Sequence, residues 1–192
     1  MKNSIAALVF VFLSCLFISC DEEYSPKPRG FFRIALPEKK YVLYVSDECP
    51  FQFEIPVYAK VTKDSSATAL PCWLNVEFPT LNGMIYLTYK KVNNDLAKLY
   101  EEHRSMTMKH IAKASAIDET PYHNAGKKMH GSLYMVKGNA ASNIQFYLTD
   151  SVNNFIRGSL YFNSVPQPDS IAPVLNFVSA DVKHLIETFQ WK

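Results

Sequence analysis

The chain has 192 residues, with 20 Lys plus Arg against 18 Asp plus Glu, 5 His and a net charge of +2. So even a balance excludes the basic excess of a nucleic-acid-binding protein, and the length allows one domain with a substantial core but not two ordinary ones. The 13 Phe, 11 Tyr and 2 Trp fall mostly in alternating segments rather than in helical stripes, which points to a sheet.

Lys2 opens a short positive region, and Ile5 to Ile18 is a largely apolar run containing Leu8, Val9, Phe10, Val11, Phe12, Leu13, Leu16 and Phe17. A membrane-spanning helix needs about 20 apolar residues, so this shorter run reads as the hydrophobic part of an export signal. It ends at Ser19-Cys20, and hydrophobicity collapses at once into Asp21, Glu22 and Glu23. A small residue before the cysteine predicts cleavage there and lipidation of Cys20 by an acyl chain of the palmitate kind, which ties the chain to a bilayer. Phe17 is bulkier than the leucine expected three positions before such a cysteine, and Ser14-Cys15 is a weaker competing site inside the run. An uncleaved membrane helix is the alternative. The expected organisation is therefore a signal peptide over 1–19, a lipidated arm over 20–40 and one domain over 41–192.

The arm lacks a sustained period and contains Pro26, Pro28, Gly30 and Pro37, so it is expected to be extended rather than helical. Lys27, Arg29 and Arg33 interleave with Phe31 and Phe32, a pattern that combines charged forks with apolar anchors. Arginine and aromatic residues are favoured at interface hot spots, which makes these five residues candidates for binding a partner. The competing reading is an arm wrapped on its own domain, since Ile34 and Leu36 are also apolar for a free linker.

Tyr41–Val45 and Phe51–Val57 are strand candidates, and Pro56 argues for an edge position for the second. Lys60–Thr68 is polar and reads as an exposed loop. Cys72–Phe78 and Met84–Lys90 form a hairpin across PTLNG, where Asn82-Gly83 supplies the left-handed positions of a tight reversal. With Cys15 in the signal and Cys20 lipidated, Cys49 and Cys72 remain. In an oxidising compartment they can form a disulfide closing a loop of about 24 residues, a link worth ~3 kcal/mol; two buried free thiols are the alternative.

From Asn93 the period changes. Leu96, Leu99, His103, Met106, His110 and Ile117 recur at helical spacings, predicting an amphipathic helix from Asn93 or Asn94 as cap, with Asp95 in the first turn, to about Asp118. Met129–Lys137, Asn143–Asp150 and Phe155–Asn163 are further strand candidates, with reversals near Gly138-Asn139 and Asn153-Asn154. A closing helix is expected from Ser170 or Ile171, with Pro173 in its first turn and a stripe of Leu175, Val178, Val182, Leu185 and Phe189. Short reversals within each strand block imply antiparallel pairing, so the expected class is α+β: a twisted antiparallel sheet packed with helices. That order of elements is similar to the PsbP-like fold of small lumenal and periplasmic domains.

No catalytic or metal constellation emerges. His103 and His110 are seven apart, without the i, i+4 pairing of a zinc helix, and a satisfied histidine against the sheet is expected at each. His123 and His130 flank Gly126-Lys127-Lys128, read as a solvated turn rather than an anion site. Ser132 lacks a nucleophile elbow, and Glu101 and Glu102 diverge on a helix. No cofactor, metal or enzymatic activity is implied.

Residues 24–41, YSPKPRGFFRIALPEKKY, resemble the start of the mature GldD gliding motility lipoproteins of the Bacteroidetes, at Tyr24, Pro26, Lys27, Pro28, Arg29, Gly30, Arg33, Pro37 and Tyr41. The likeness continues through Cys49-Pro50-Phe51, Cys72-Trp73 and the closing VKHLIETFQWK. It implies a noncatalytic envelope lipoprotein serving gliding motility and the linked type IX secretion system, with other envelope proteins of that machinery as partners. A soluble-ligand or lipid-binding envelope module is the alternative. The periplasmic face is the expected location, with the inner and outer membranes both open.

Overall fold

The computed structural model describes residues 34–164 and 168–192. Ile34–Lys192 is one compact unit. Its ten described strands are β1 (Tyr41–Val45), β2 (Phe51–Pro56), β3 (Lys60–Lys63), β4 (Leu74–Phe78), β5 (Gly83–Lys91), β6 (Ala114–Asn124), β7 (Met129–Gly138), β8 (Ser142–Thr149), β9 (Asn154–Phe162) and β10 (Gln190–Trp191). Helix α1 (Leu96–Met108) lies between β5 and β6, and α2 (Pro168–Thr188) follows β9. The strands form a three-stranded sheet, β1-β2-β10, and a seven-stranded sheet, β3-β4-β5-β9-β8-β7-β6. Every pairing is antiparallel, so the chain is α+β with helices packed on a twisted antiparallel sheet.

Alternation along the strands decides which face is core. Ile85 and Leu87 of β5, Ile144, Phe146 and Leu148 of β8, and Ile156 and Leu160 of β9 are buried in one cluster with Phe51 and Phe53 of β2, Val178, Val182 and Leu185 of α2, and Phe189 just after it. Each such side chain contributes about 1.5–3 kcal/mol by leaving water. The expected α2 stripe is thus the lid of the main core. The opposite face of the large sheet carries a smaller cluster, Val92, Leu99 and Phe155, with Tyr100 and Tyr147 packed against it. Cys49, before β2, and Cys72, before β4, are joined as a disulfide with Cα atoms 5.5 Å apart, linking the corners of the two sheets.

The hairpin β4–β5 forms as expected, with Pro79–Leu81 a 3-10 turn and Asn82 left-handed at φ 52°; of the Asn82-Gly83 pair only Asn82 takes a positive φ. Several expectations are corrected. Lys60–Lys63 is a strand rather than loop, because Val61 opposite Val76 joins the core while Lys60 and Lys63 stand at the edge, where charge discourages further pairing. β2 is the middle strand, not an edge. Pro56 is tolerated there because Val57 donates to the Lys40 carbonyl on the β1 side (2.8 Å), which turns the Pro56 nitrogen toward the side that β10 leaves open beyond Phe51-Gln52.

The first helix ends at Met108 and not near Asp118. Lys109–Ala112 is a 3-10 turn, and Ala114–Asn124 is β6, with Ile117 opposite Val136. Full-length pairing with β7 overrides the helical propensity of Ala114 and Ala116. The buried line of α1 is Leu99, His103 and Thr107, whereas Met106 is exposed. Asp95, not Asn93 or Asn94, holds the N-cap position, and its carboxylate accepts from the Asn93 amide at 2.8 Å. Helix α2 begins at Pro168, so Pro173 lies inside it instead of in its first turn. After Thr188 the chain turns into β10, which pairs with β2.

Candidate functional site

The segment that enters the domain from the arm, residues 34–40, is irregular and is fastened at its end to α2. Lys39 Nζ donates to Asp181 Oδ1 at 2.5 Å and to the Phe177 carbonyl at 2.9 Å, and lies 4.0 Å from the centre of the Phe177 ring. Tyr41 donates to Asp181 Oδ1 at 2.9 Å, and Tyr58 to Oδ2 at 2.6 Å. The Asp181 side chain is 1% exposed. A carboxylate so deep is stable because one cation and two hydroxyls converge on it. Burial, followed by the hydrogen bond and charge of Asp181, pushes the Tyr41 phenol up to about 12; the same causes raise Tyr58 further. Beside them Tyr41 stacks on His184 at 3.6 Å, and His184 Nε2 meets Glu54 Oε2 at 2.6 Å. The root of the arm is therefore clasped to one side of α2.

This clasp escaped the sequence reading. Its signal was Asp181 itself, an acid beside Val178 and Val182 on the apolar side of an amphipathic helix. Cys20, Lys27, Arg29, Phe31, Phe32 and Arg33 lie outside the described residues. Ile34 and Leu36, which follow them, are 38% and 42% exposed. Three residues of the next strand, Val42, Leu43 and Val45, are exposed as well. Apolar side chains thus run along the root of the arm without being taken into the core.

The histidines do not assemble a site of the kind weighed from sequence. His103 is buried, but it is not satisfied as expected: neither ring nitrogen has a partner. Burial first, and the Arg157 charge second, push its imidazole down to about 3. His110 sits on the following 3-10 turn, its pKa lowered by burial. His123 and His130 face each other across β6 and β7 with Nδ1 atoms 2.9 Å apart, at the base of the turn expected there. Glu101 is paired with Arg104 and Glu102 with Lys90, and Ser132 is buried in β7 opposite Tyr147. Among the described residues no group of three or more His, Cys, Asp or Glu is placed to hold a metal, and no helix is long and apolar enough to cross a membrane.

The family profile described as gliding motility lipoprotein GldD matches residues 21–191. The chain belongs to that family. It is a noncatalytic lipoprotein of gliding motility, anchored in the envelope and associated with the gliding and type IX secretion machinery. A search of curated proteins finds no match. Among solved structures, the chain is similar to cyanobacterial PsbP (CyanoP) from Synechocystis sp. PCC 6803, at 10% identity and a TM-score of 0.50, covering 88% of this chain and 100% of that one. At that identity the likeness concerns the fold alone.

Proposed function

We propose that this GldD-family lipoprotein is an assembly subunit held on the membrane by lipid on Cys20 and docked to another component of the gliding machinery through Tyr24–Arg33. In this reading residues 1–19 are removed as signal peptide, Lys27, Arg29 and Arg33 supply directed charge, and Phe31 and Phe32 supply apolar anchors. The domain, taken as a PsbP-like sandwich on its order of elements and its likeness to the cyanobacterial protein, stands on the periplasmic side, where such partners assemble.

The supporting observation is the clasp at Asp181. It fastens Lys39 and Tyr41, where the arm meets the domain, to α2 while Ile34 and Leu36 stay exposed. A flexible tether needs no such fixing, whereas a docking element gains from it because less ordering remains to be done on binding.

The test is an Arg29→Ala, Arg33→Ala double variant, with photocrosslinking probes at Lys27 and Phe31 in living cells. Losing a buried charged contact weakens binding by about 2–5 kcal/mol. Gliding and crosslinks to the partner are expected to fail while acyl labelling at Cys20 and thermal unfolding stay normal. Wild-type gliding by the double variant, with no crosslink from either probe in the unmutated arm, would overturn the reading. The alternative of an envelope ligand-binding module is favoured by one observation, an open groove across β5 and β9.

A further inference from the structure

On the face of the large sheet turned away from the main core, β9 presents Arg157, Ser159 and Tyr161 directly opposite Thr88, Tyr86 and Met84 of β5. Helix α1 packs over the neighbouring ground around Phe155 and Tyr147 and borders only Thr88 and Arg157 of these six residues, of which Ser159 is buried in the sheet. They line an open groove of about 770 Å³, within the usual range of ligand sites. Tyr86 and Tyr161 meet edge to face at 5.6 Å in its wall, and Tyr86 is 40% exposed. A smaller cavity of about 110 Å³ runs beneath α1, shares Thr88 and Arg157 with the groove, and is lined at its inner part by His103.

The charges at this junction are incomplete. Arg157 makes no ion pair among the described residues, and its buried Nε has no hydrogen-bond partner; Nη1 touches only the Met106 sulfur, a weak acceptor. Glu102, the nearby acid, is engaged by Lys90 at 2.8 Å. His103 is 2% exposed, held between the rings of Tyr134 and Tyr147 at 5.4 and 5.1 Å, with both ring nitrogens unpartnered. A guanidinium without a counter-ion beside an imidazole with an unused N–H is a donor set that lacks an acceptor.

We propose that this groove binds a carboxylate carried on an extended apolar or aromatic body, with Arg157 as its charged partner, His103 as a second donor and Tyr86 and Tyr161 as the platform for the body. A carboxylate suits the fork of a guanidinium, which can donate two parallel bonds. The platform is open along its length, so the carboxylate can belong to a small organic acid or to an acidic side chain of an extended peptide. The groove is walled by β4, β5, β9 and the turn between β4 and β5; Asp64 and Glu77 are among its lining residues and Arg157 is its one cation among the described residues, and the proposal is independent of the arm.

The experiment uses detergent-solubilised, isotope-labelled full-length lipoprotein and follows the His103 ring nitrogens and the Arg157 Nε–H by NMR. Three probes are titrated: 4-phenylbutyrate, the end-blocked hexapeptide Lys-Val-Thr-Val-Thr-Glu, and the same hexapeptide ending in Gln. Expected are saturable shifts at both residues with at least one carboxylate probe and none with the Gln peptide. A bound carboxylate should also raise the pKa of His103, which otherwise faces Arg157, Lys90 and Glu102 with the phenols of Tyr134 and Tyr147. Arg157→Gln should weaken binding at least about tenfold, the loss expected for a charge-assisted pair. A response to phenylbutyrate alone identifies a small acid as the ligand type, and a response to the Glu peptide alone identifies a peptide segment. Tyr86→Ala, at an exposed side chain, leaves the fold intact and should weaken the responding probe. No saturable shift with either carboxylate, equal shifts with the Gln peptide, or undiminished binding by both variants would overturn the site.

Discussion

Replacing Asp181 by Asn keeps the side chain's size and removes the charge on which Lys39, Tyr41 and Tyr58 converge. Hydrogen bonds to a charged acceptor contribute about 1.5–3 kcal/mol and neutral ones about 0.5–1.5, so three bonds weakened together amount to roughly 3 kcal/mol. Lys39 is 30% exposed and recovers part of its share from water, which lowers the expectation to about 2–3 kcal/mol. For a domain of this size that is a fall in Tm of about 4–12 °C. Urea unfolding measures the loss, and limited trypsin cleavage after Lys39 and Lys40 shows whether the root of the arm has come loose. The alkaline limb provides a second readout. With the Tyr41 phenol raised from 10.0 to about 12, chiefly by burial and then by Asp181, the folded state holds a proton that the unfolded chain releases first. Stability is complete below pH 10 and falls as pH rises to about 12, and Asp181→Asn should make that fall shallower. A variant within about 0.5 kcal/mol of the parent, with an unchanged alkaline limb and no new cleavage, would show that the clasp does not hold the arm.

Two further outcomes are expected. Intact mass after alkylation of native envelope protein should show neither Cys49 nor Cys72 modified, and Cys49→Ser with Cys72→Ser should lower stability by about 3 kcal/mol through release of the unfolded chain; alkylation of both thiols in native protein would dispose of the link. His103 is pushed from 6.5 down to about 3 by burial and by Arg157, so its neutral form contributes stability that is complete above pH 6.5 and lost as pH falls toward 3. His103→Leu should flatten that acid limb by up to about 5 kcal/mol, and an acid limb of unchanged slope in the variant would show that the imidazole is not held neutral.

What the sequence made legible follows from the range of the interactions involved. The β4–β5 hairpin is written locally in Asn82, and the inner face of α2 in the spacing of Val178, Val182 and Leu185, so both were readable. β6 was not, because Ala114 and Ala116 favour a helix and only pairing with β7 makes them a strand. Lys60–Lys63 looked like a loop for the same reason: three of its four residues belong to an edge, and the fourth, Val61, gains its meaning from Val76. The clasp was hidden more deeply. Lys39 and Asp181 are 142 residues apart, and nothing near either one in sequence announces the other. Arg157 and His103 were likewise separated between a strand and a helix whose face had to be known before the groove existed.

The two polar sites stand on opposite sides of the seven-stranded sheet. Ile85 and Leu87 point toward α2 and the clasp, while Met84, Tyr86 and Thr88, alternating with them, point into the groove across β5 and β9. Packed layers lie about 10 Å apart, so the clasp and Arg157 are separated by the thickness of the sheet, and no single contact spans both without passing around a sheet edge. β3 carries Lys60 and Lys63 at one such edge, and β6 carries Asp118, Glu119 and Pro121 at the other, which discourages a strand from adding there. β1 has no such guard: Val42, Leu43 and Val45 are exposed on the strand that follows the clasp. Open apolar side chains of β1 therefore flank the clasp, and the unpaired cation lies on the far side of the sheet, where Tyr86 and Met106 are exposed as well. A subunit with that division can be fastened through one face while the other stays free for a ligand, so loss of the arm contact and loss of the groove contact should be separable defects.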